Sequence, residues 1–229
     1  MAKAMTLTYE AGENLYVNVT NRCPCRCTFC IRNNGDGAYG SDPLWLEHEP
    51  DMDEMKADFA KRDLSKYKSI VFCGYGEPLM RLEFVCKLAK YLREICPDAY
   101  LRLNSNGLAD LYNADEACGT AAQQVAAVFD KVSISLNGGN AEVYNRVTRP
   151  QGGGDAPFET MLHFAKTCKE LGMDVLFTVV DVISPEEIAQ AQETADSLGI
   201  TLDVREYIHL NKTHRFDGAF FEIISKRLH

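Results

Sequence analysis

The stretch Leu15-Tyr-Val-Asn-Val-Thr-Asn-Arg-Cys-Pro-Cys-Arg-Cys-Thr-Phe-Cys30 runs from a β-branched, aromatic segment straight into four cysteines. Leu15 to Thr20 predicts a strand. Cys23, Cys25, Cys27 and Cys30 follow at its exit. With Cys25 left out, their spacing is Cys-x-x-x-Cys-x-x-Cys. Three thiolates so placed can converge on one face of a metal cluster and leave one coordination position open. Closed metal sites are mostly structural, whereas open ones do chemistry.

Outward from this run, strand and helix signals alternate. Strands are expected at Ser69 to Cys73, Ala99 to Leu103, Lys131 to Leu136, Asp174 to Asp181 and Thr201 to Tyr207. Helices are expected at Asp51 to Asp63, Leu82 to Ile95, a stretch ending near Phe129, Phe158 to Leu171, Pro185 to Leu198 and Gly218 to Arg227. Ser184 reads as an N-cap, and Gly199 lies just past the end of its helix. Six strand-then-helix units in series imply a parallel sheet with right-handed crossovers. An open doubly wound sheet and a barrel stopped two units short of eight both satisfy that pattern. The loop Arg32 to Pro50 and the Gly-rich Gln151 to Asp155 read as mobile insertions rather than domain boundaries.

Composition narrows the classes of function. The chain of 229 residues has 24 basic and 33 acidic side chains, a formal net charge of -9. That balance disfavours non-specific binding to nucleic acid or to anionic membrane. No apolar run approaches the roughly 18 residues of a membrane span, and residues 1 to 14 lack a signal-peptide core. A cytoplasmic location is therefore expected. Nine cysteines cannot all pair, and in a reducing compartment clustered cysteines point to metal.

The other unusual residues gather at strand exits. Gly74-Tyr-Gly-Glu-Pro78 follows the second predicted strand and Asn104-Ser-Asn-Gly107 the third. Ser133, Ser135 and Asn137 alternate along the fourth and its exit, so they share a face. Arg205 lies near the end of the sixth. In a parallel α/β sheet these carboxyl ends lie on one side, where ligand sites are built. Each signal also has a plain structural reading. Both Gly-containing runs serve as turns, with Glu77 and Pro78 in a first helical turn. Arg205, expected in a buried strand, has an ion pair with Asp or Glu as its simplest explanation. The cysteines have structural zinc as theirs, although four ligands within eight residues would be cramped.

Taken together, these residues resemble the radical S-adenosylmethionine (SAM) superfamily. Cys23, Cys27 and Cys30 match its Cys-x-x-x-Cys-x-Φ-Cys signature with Phe29 as the aromatic position. Gly74 to Pro78 is similar to its Gly-Gly-Glu-Pro element with Tyr75 inserted. The resemblance spans nearly the whole chain. It implies a single α/β domain over residues 1–229, a partial (β/α)6 TIM-like barrel with a cluster loop at about 21–32 and no auxiliary-cluster domain. It further implies a 4Fe-4S cluster on Cys23, Cys27 and Cys30, with SAM completing the fourth iron. Gly74, Tyr75, Gly76 and Glu77 would receive the SAM amino group, and Ser133, Ser135 and Asn137 the ribose or carboxylate. Phe29 and Val179 would frame adenine, with Asn106 and Arg205 as further cofactor contacts. Cys25 departs from the signature and is not counted as a ligand. Asn18 to Cys23, Cys30 to Arg32 and Ser135 to Arg146 are similar to a small subgroup associated with TatD-type nucleases.

What the resemblance implies is reductive cleavage of SAM to methionine and a 5′-deoxyadenosyl radical. That radical abstracts hydrogen from a small molecule or a peptide segment, as in an oxidoreductase or lyase. The electron would come from a one-electron reductant such as flavodoxin or ferredoxin. Without a C-terminal cysteine domain, the chain resembles minimal members such as carboxydeazaguanine synthase and glycyl-radical activating enzymes. His209, His214 and Arg215 are candidates for substrate contact or for solvated surface. The competing class is a non-catalytic metal-binding module, a zinc or iron–sulfur adaptor or electron carrier.

Overall fold

The first two strands form a hairpin that the sequence pattern does not announce. β1 (Thr8–Ala11) pairs antiparallel with β2 (Asn14–Val17) around Gly12, whose φ of +59° suits a glycine. The structure, a computed structural model, describes residues 2–113 and 119–207. From β2 the sheet continues through β3 (Ser69–Phe72), β4 (Leu101–Ser105), β5 (Lys131–Ser135), β6 (Asp174–Val180) and β7 (Thr201–Arg205). All these neighbours are parallel and lie in chain order.

That order decides between the two architectures. A doubly wound sheet reverses its strand order at a switch point. Here every crossover steps the same way, so right-handed connections keep the helices on one face. The result is the six parallel strands expected of a partial barrel, an open arc with β1 added at one edge.

Alternation along the strands builds the two faces. Leu15, Val17, Ile70, Phe72, Leu101, Leu103, Val132, Ile134 and Phe177 are buried in one core. Helix α2 (Leu82–Ile95) covers them with Val85, Leu88, Ala89 and Leu92. Each such side chain removed from water is worth about 1.5–3 kcal/mol. Phe72 meets Phe129 edge-to-face at 5.0 Å, tying β3 to the segment before β5. The opposite face carries Cys73, Arg102, Asn104, Ser133 and Ser135.

Helix boundaries follow their caps. α1 (Met52–Phe59) starts behind Asp51, which forms a capping box with Glu54. It ends four residues earlier than expected. The helical stretch near Phe129 contains α3 (Ala109–Tyr112) and α4 (Ala121–Ala126). α5 (Ala141–Thr148) was not foreseen, and α6 spans Ala156–Glu170. α7 (Pro185–Ser197) has Ser184 as N-cap, as expected, with Glu187 closing the box. The expected helix Gly218 to Arg227, with His209, His214 and Arg215, lies outside the described residues.

Two expectations need correction. The Arg32–Pro50 loop is packed rather than a free insertion. Leu44 and Leu46 are buried, and Asn21 brackets Leu46 with hydrogen bonds to its carbonyl and amide. Arg205 is exposed, because β7 is the edge strand of the sheet among the described residues, and it pairs with Asp203 at 3.3 Å.

Candidate active site

The cysteine loop is pinned by the end of α5. The last carbonyls of a helix lack intrahelical partners. Here Val147 accepts from the amide of Thr28, and Thr148 and Arg149 accept from that of Arg26. Pro24 accepts from the amide of Gln151, and Cys25 forms a β-bridge with Pro150. The backbone thereby turns Cys23, Cys27 and Cys30 toward the strand exits, all three half-buried with free thiols.

Cys25 sits among these three but is buried more deeply, at the back of the same cavity. Its side chain is 2% exposed and belongs to the main core. The thiol is pushed far up by hydrogen bonds to Cys23 and Cys27 and by burial. Cys23 is lowered in turn, first by the hydrogen bond from Cys25. The shared hydrogen bond thus favours the anionic form at Cys23 over Cys25. Arg32 donates from Nε to the Cys30 sulfur at 3.2 Å. Burial pulls the guanidinium down, but its bond to Cys30 and the neighbouring cysteines raise it on balance. Thiolates so buttressed suit an iron–sulfur cluster.

The Gly74–Pro78 run closes the opposite wall. Neither Gly74 nor Gly76 has a positive φ. Both are required by close approach. A Cβ on Gly74 would fall 2.1 Å from Asn18 Oδ1, and one on Gly76 2.3 Å from the Thr20 carbonyl. The run thus lies directly on the segment that leads into the cysteines. Glu77 is 7% exposed, and its carboxylate accepts from Leu79 N, Ser105 Oγ and Asn106 N at 3.1, 2.8 and 2.7 Å. Burial raises its pKa against these bonds. Both Glu77 oxygens brace β3 to the exit of β4. Tyr75 donates to the Gly35 carbonyl at 2.8 Å, and burial pushes its hydroxyl up to about 12.

Between these walls lies a cavity of about 180 Å³. Of the residues singled out in the sequence, it brings together Cys23, Cys25, Cys27, Cys30, Phe29, Gly74, Tyr75, Gly76, Glu77, Pro78, Asn104, Ser105, Asn106, Ser135 and Asn137. Asn137 holds a left-handed φ of 51° and accepts from Val180 N through Oδ1. Ser133 lies one register step deeper and does not line the cavity. Val179 is fully buried behind it, in an apolar cluster on which Phe29 packs. Arg205 is also absent from the lining. Sequence reasoning missed Tyr144, whose ring is fully buried and whose hydroxyl has no partner at the cavity wall. Its signal was hidden because α5 was not predicted.

The radical SAM superfamily model matches residues 17–198. The chain belongs to the radical SAM superfamily. Members use a 4Fe-4S cluster with SAM, and the thiolate set here fits such a group. The match reaches the superfamily and not the smaller subgroup that the motifs resemble. Curated relatives include a GTP 3′,8-cyclase of Limosilactobacillus fermentum, 28% identical over 63% of this chain and 41% of its own. The chain therefore spans less than half the length of that relative. Among solved structures, Streptococcus suis SuiB bound to S-adenosylmethionine aligns with a TM-score of 0.63 at 13% identity, over 93% of this chain and 45% of its own. The structure of anSMEcpe with bound AdoMet gives 0.62 at 20%, over 90% and 54%. At such identities these structures show a shared fold. Among the described residues no helix is long and apolar enough to cross a membrane.

Proposed function

We propose that this chain is a radical SAM enzyme acting on a substrate bound within the arc. The observation that carries this reading is the convergence of Cys23, Cys27 and Cys30 with the Gly74–Glu77 run on one cavity. Cys23, Cys27 and Cys30 hold the cluster, and backbone carbonyls of residues 74–76 receive the SAM amino group. A 4Fe-4S cluster held there would supply the single electron for reductive cleavage of SAM. Glu77 fixes the cradle by tying it to Ser105 and Asn106. Ser135 and Asn137 offer hydrogen bonds to ribose or carboxylate, and Phe29 packs beside the adenine with Val179 behind it. The enclosing walls exclude water, which protects a reactive carbon-centred radical. A one-electron reductant completes the cycle, with the flavodoxin or ferredoxin class fitting the role.

Reconstitution tests this against a zinc module. Anaerobic iron and sulfide are expected to give brown protein with iron–sulfur charge-transfer absorption. Colourless protein holding stoichiometric zinc after the same treatment would sink the reading.

A further inference from the structure

Beneath the cavity the inner face of the sheet carries a cation without an acid. On β4, Leu101 and Leu103 face the core, so Arg102 and Asn104 face the interior of the arc. Register sets Arg102 beside Lys131 and Asn104 beside Ser133. Lys131 is satisfied, since its Nζ reaches Asp174 at 2.9 Å. Arg102 is not: its Nε is buried with no partner, and no carboxylate among the described residues pairs with it. Two more polar atoms on the same patch, Asn104 Oδ1 and Ser133 Oγ, are buried and unpartnered, Ser133 being 3% exposed.

Protein interiors satisfy such groups almost without exception. Here three of them cluster on two neighbouring strands, with Asn104 lining the cofactor cavity and Arg102 and Ser133 outside its lining. Burial raises the Cys73 thiol on the cavity wall, opposed first by a hydrogen bond with Asn104 and then by the charges of Arg205 and Arg102. In a chain of net charge -9, the unpaired Arg102 makes this recess locally positive.

We propose that this recess receives the anionic end of a small-molecule substrate, a carboxylate or a phosphate, with Arg102 as its counter-ion and Ser133 and Asn104 as hydrogen-bonding neighbours. The inference rests on the radical SAM reading, because it seats the anion beneath the SAM cavity. The planar guanidinium fork matches either oxyanion. Anchored at Arg102, the rest of the substrate extends upward toward the strand exits, where hydrogen abstraction takes place.

The test is calorimetric titration of the anaerobically reconstituted protein at low chloride, with inorganic pyrophosphate in one arm and succinate in the other. At least one anion is expected to bind, and the tighter arm assigns phosphate or carboxylate. Arg102→Met is expected to weaken that binding tenfold or more, and Arg102→Lys to weaken it less. Uncoupled SAM cleavage, read as 5′-deoxyadenosine, is expected to stay within twofold in both variants, which also shows that they are folded. The proposal is overturned when neither anion binds the wild type, or when Arg102→Met binds as the wild type does. It is equally overturned when Arg102→Met loses SAM cleavage along with anion binding, because Arg102 then serves the cofactor. Absence of SAM cleavage in the wild type instead contradicts the functional reading, and the anion titration remains a separate readout.

Discussion

Arg32 Nε stands 3.2 Å from the Cys30 sulfur, and the same guanidinium lies 5.8 Å from the centre of the Trp45 ring. Its other nitrogens donate to the carbonyls of Asn21 and Cys25, so the charge is held rather than swept through solvent. A positive donor on a ligand sulfur favours the reduced, more negative state of a cluster. Arg32→Met should therefore shift the midpoint potential downward in an EPR-monitored redox titration, with Arg32→Lys between the two. An unchanged potential in Arg32→Met contradicts this role.

Gly76 is predicted to be irreplaceable for steric reasons. An added Cβ would sit 2.3 Å from the Thr20 carbonyl oxygen and 2.7 Å from that of Arg22, both backbone atoms of the cysteine approach. Overpacking of this kind costs typically about 1–3 kcal/mol. Gly76→Ala should lower the melting temperature and the iron content after reconstitution. Gly35→Ala is the control, because nothing lies within 4 Å of its added Cβ. Equal behaviour of the two variants would refute the packing argument.

Tyr144 separates stability from function. Its hydroxyl is buried, has no partner and lines the cavity. A buried unsatisfied group costs about 1–3 kcal/mol. Tyr144→Phe is expected to raise the melting temperature of the protein without SAM while weakening SAM binding by equilibrium dialysis. A destabilised variant would show that the hydroxyl is satisfied.

The buried Glu77 carboxyl gives a pH dependence with a definite sign. Burial raises its folded pKa above the model-peptide value of 4.5. Between those two values the folded state holds the proton more tightly than the unfolded state. The stability contributed by this group is thus fully present below 4.5 and is lost as pH rises through the folded pKa. Glu77→Gln does not titrate there. Melting curves across pH 5 to 8 should show the wild type losing ground to Glu77→Gln as pH rises, and the opposite trend would reverse the assignment.

Much of the site was legible because strand exits in a parallel sheet converge whatever the details of packing. Cys23 to Cys30 and Gly74 to Glu77 could be placed together from their strands alone. The hairpin strand Thr8–Ala11 was not legible, since four residues give too little alternation to register. Arg205 was misread as buried because edge position depends on where the sheet stops, which no local pattern encodes. The packing of Leu44 and Leu46 was hidden in a polar loop, since the Asn21 bonds that hold it come from a different element. Arg102 drew no notice for a similar reason. A charged residue in a strand reveals its lack of a partner only when its neighbours on β3 and β5 are known.

The most direct test of the central claim is 5′-deoxyadenosine formation by the reconstituted protein with SAM and dithionite under strict anaerobiosis. The account predicts product from the wild type and from Cys25→Ala, because Cys25 falls outside the Cys-x-x-x-Cys-x-x-Cys spacing. It predicts none from Cys27→Ala. No product from a wild type that holds an intact 4Fe-4S cluster and binds SAM would contradict it.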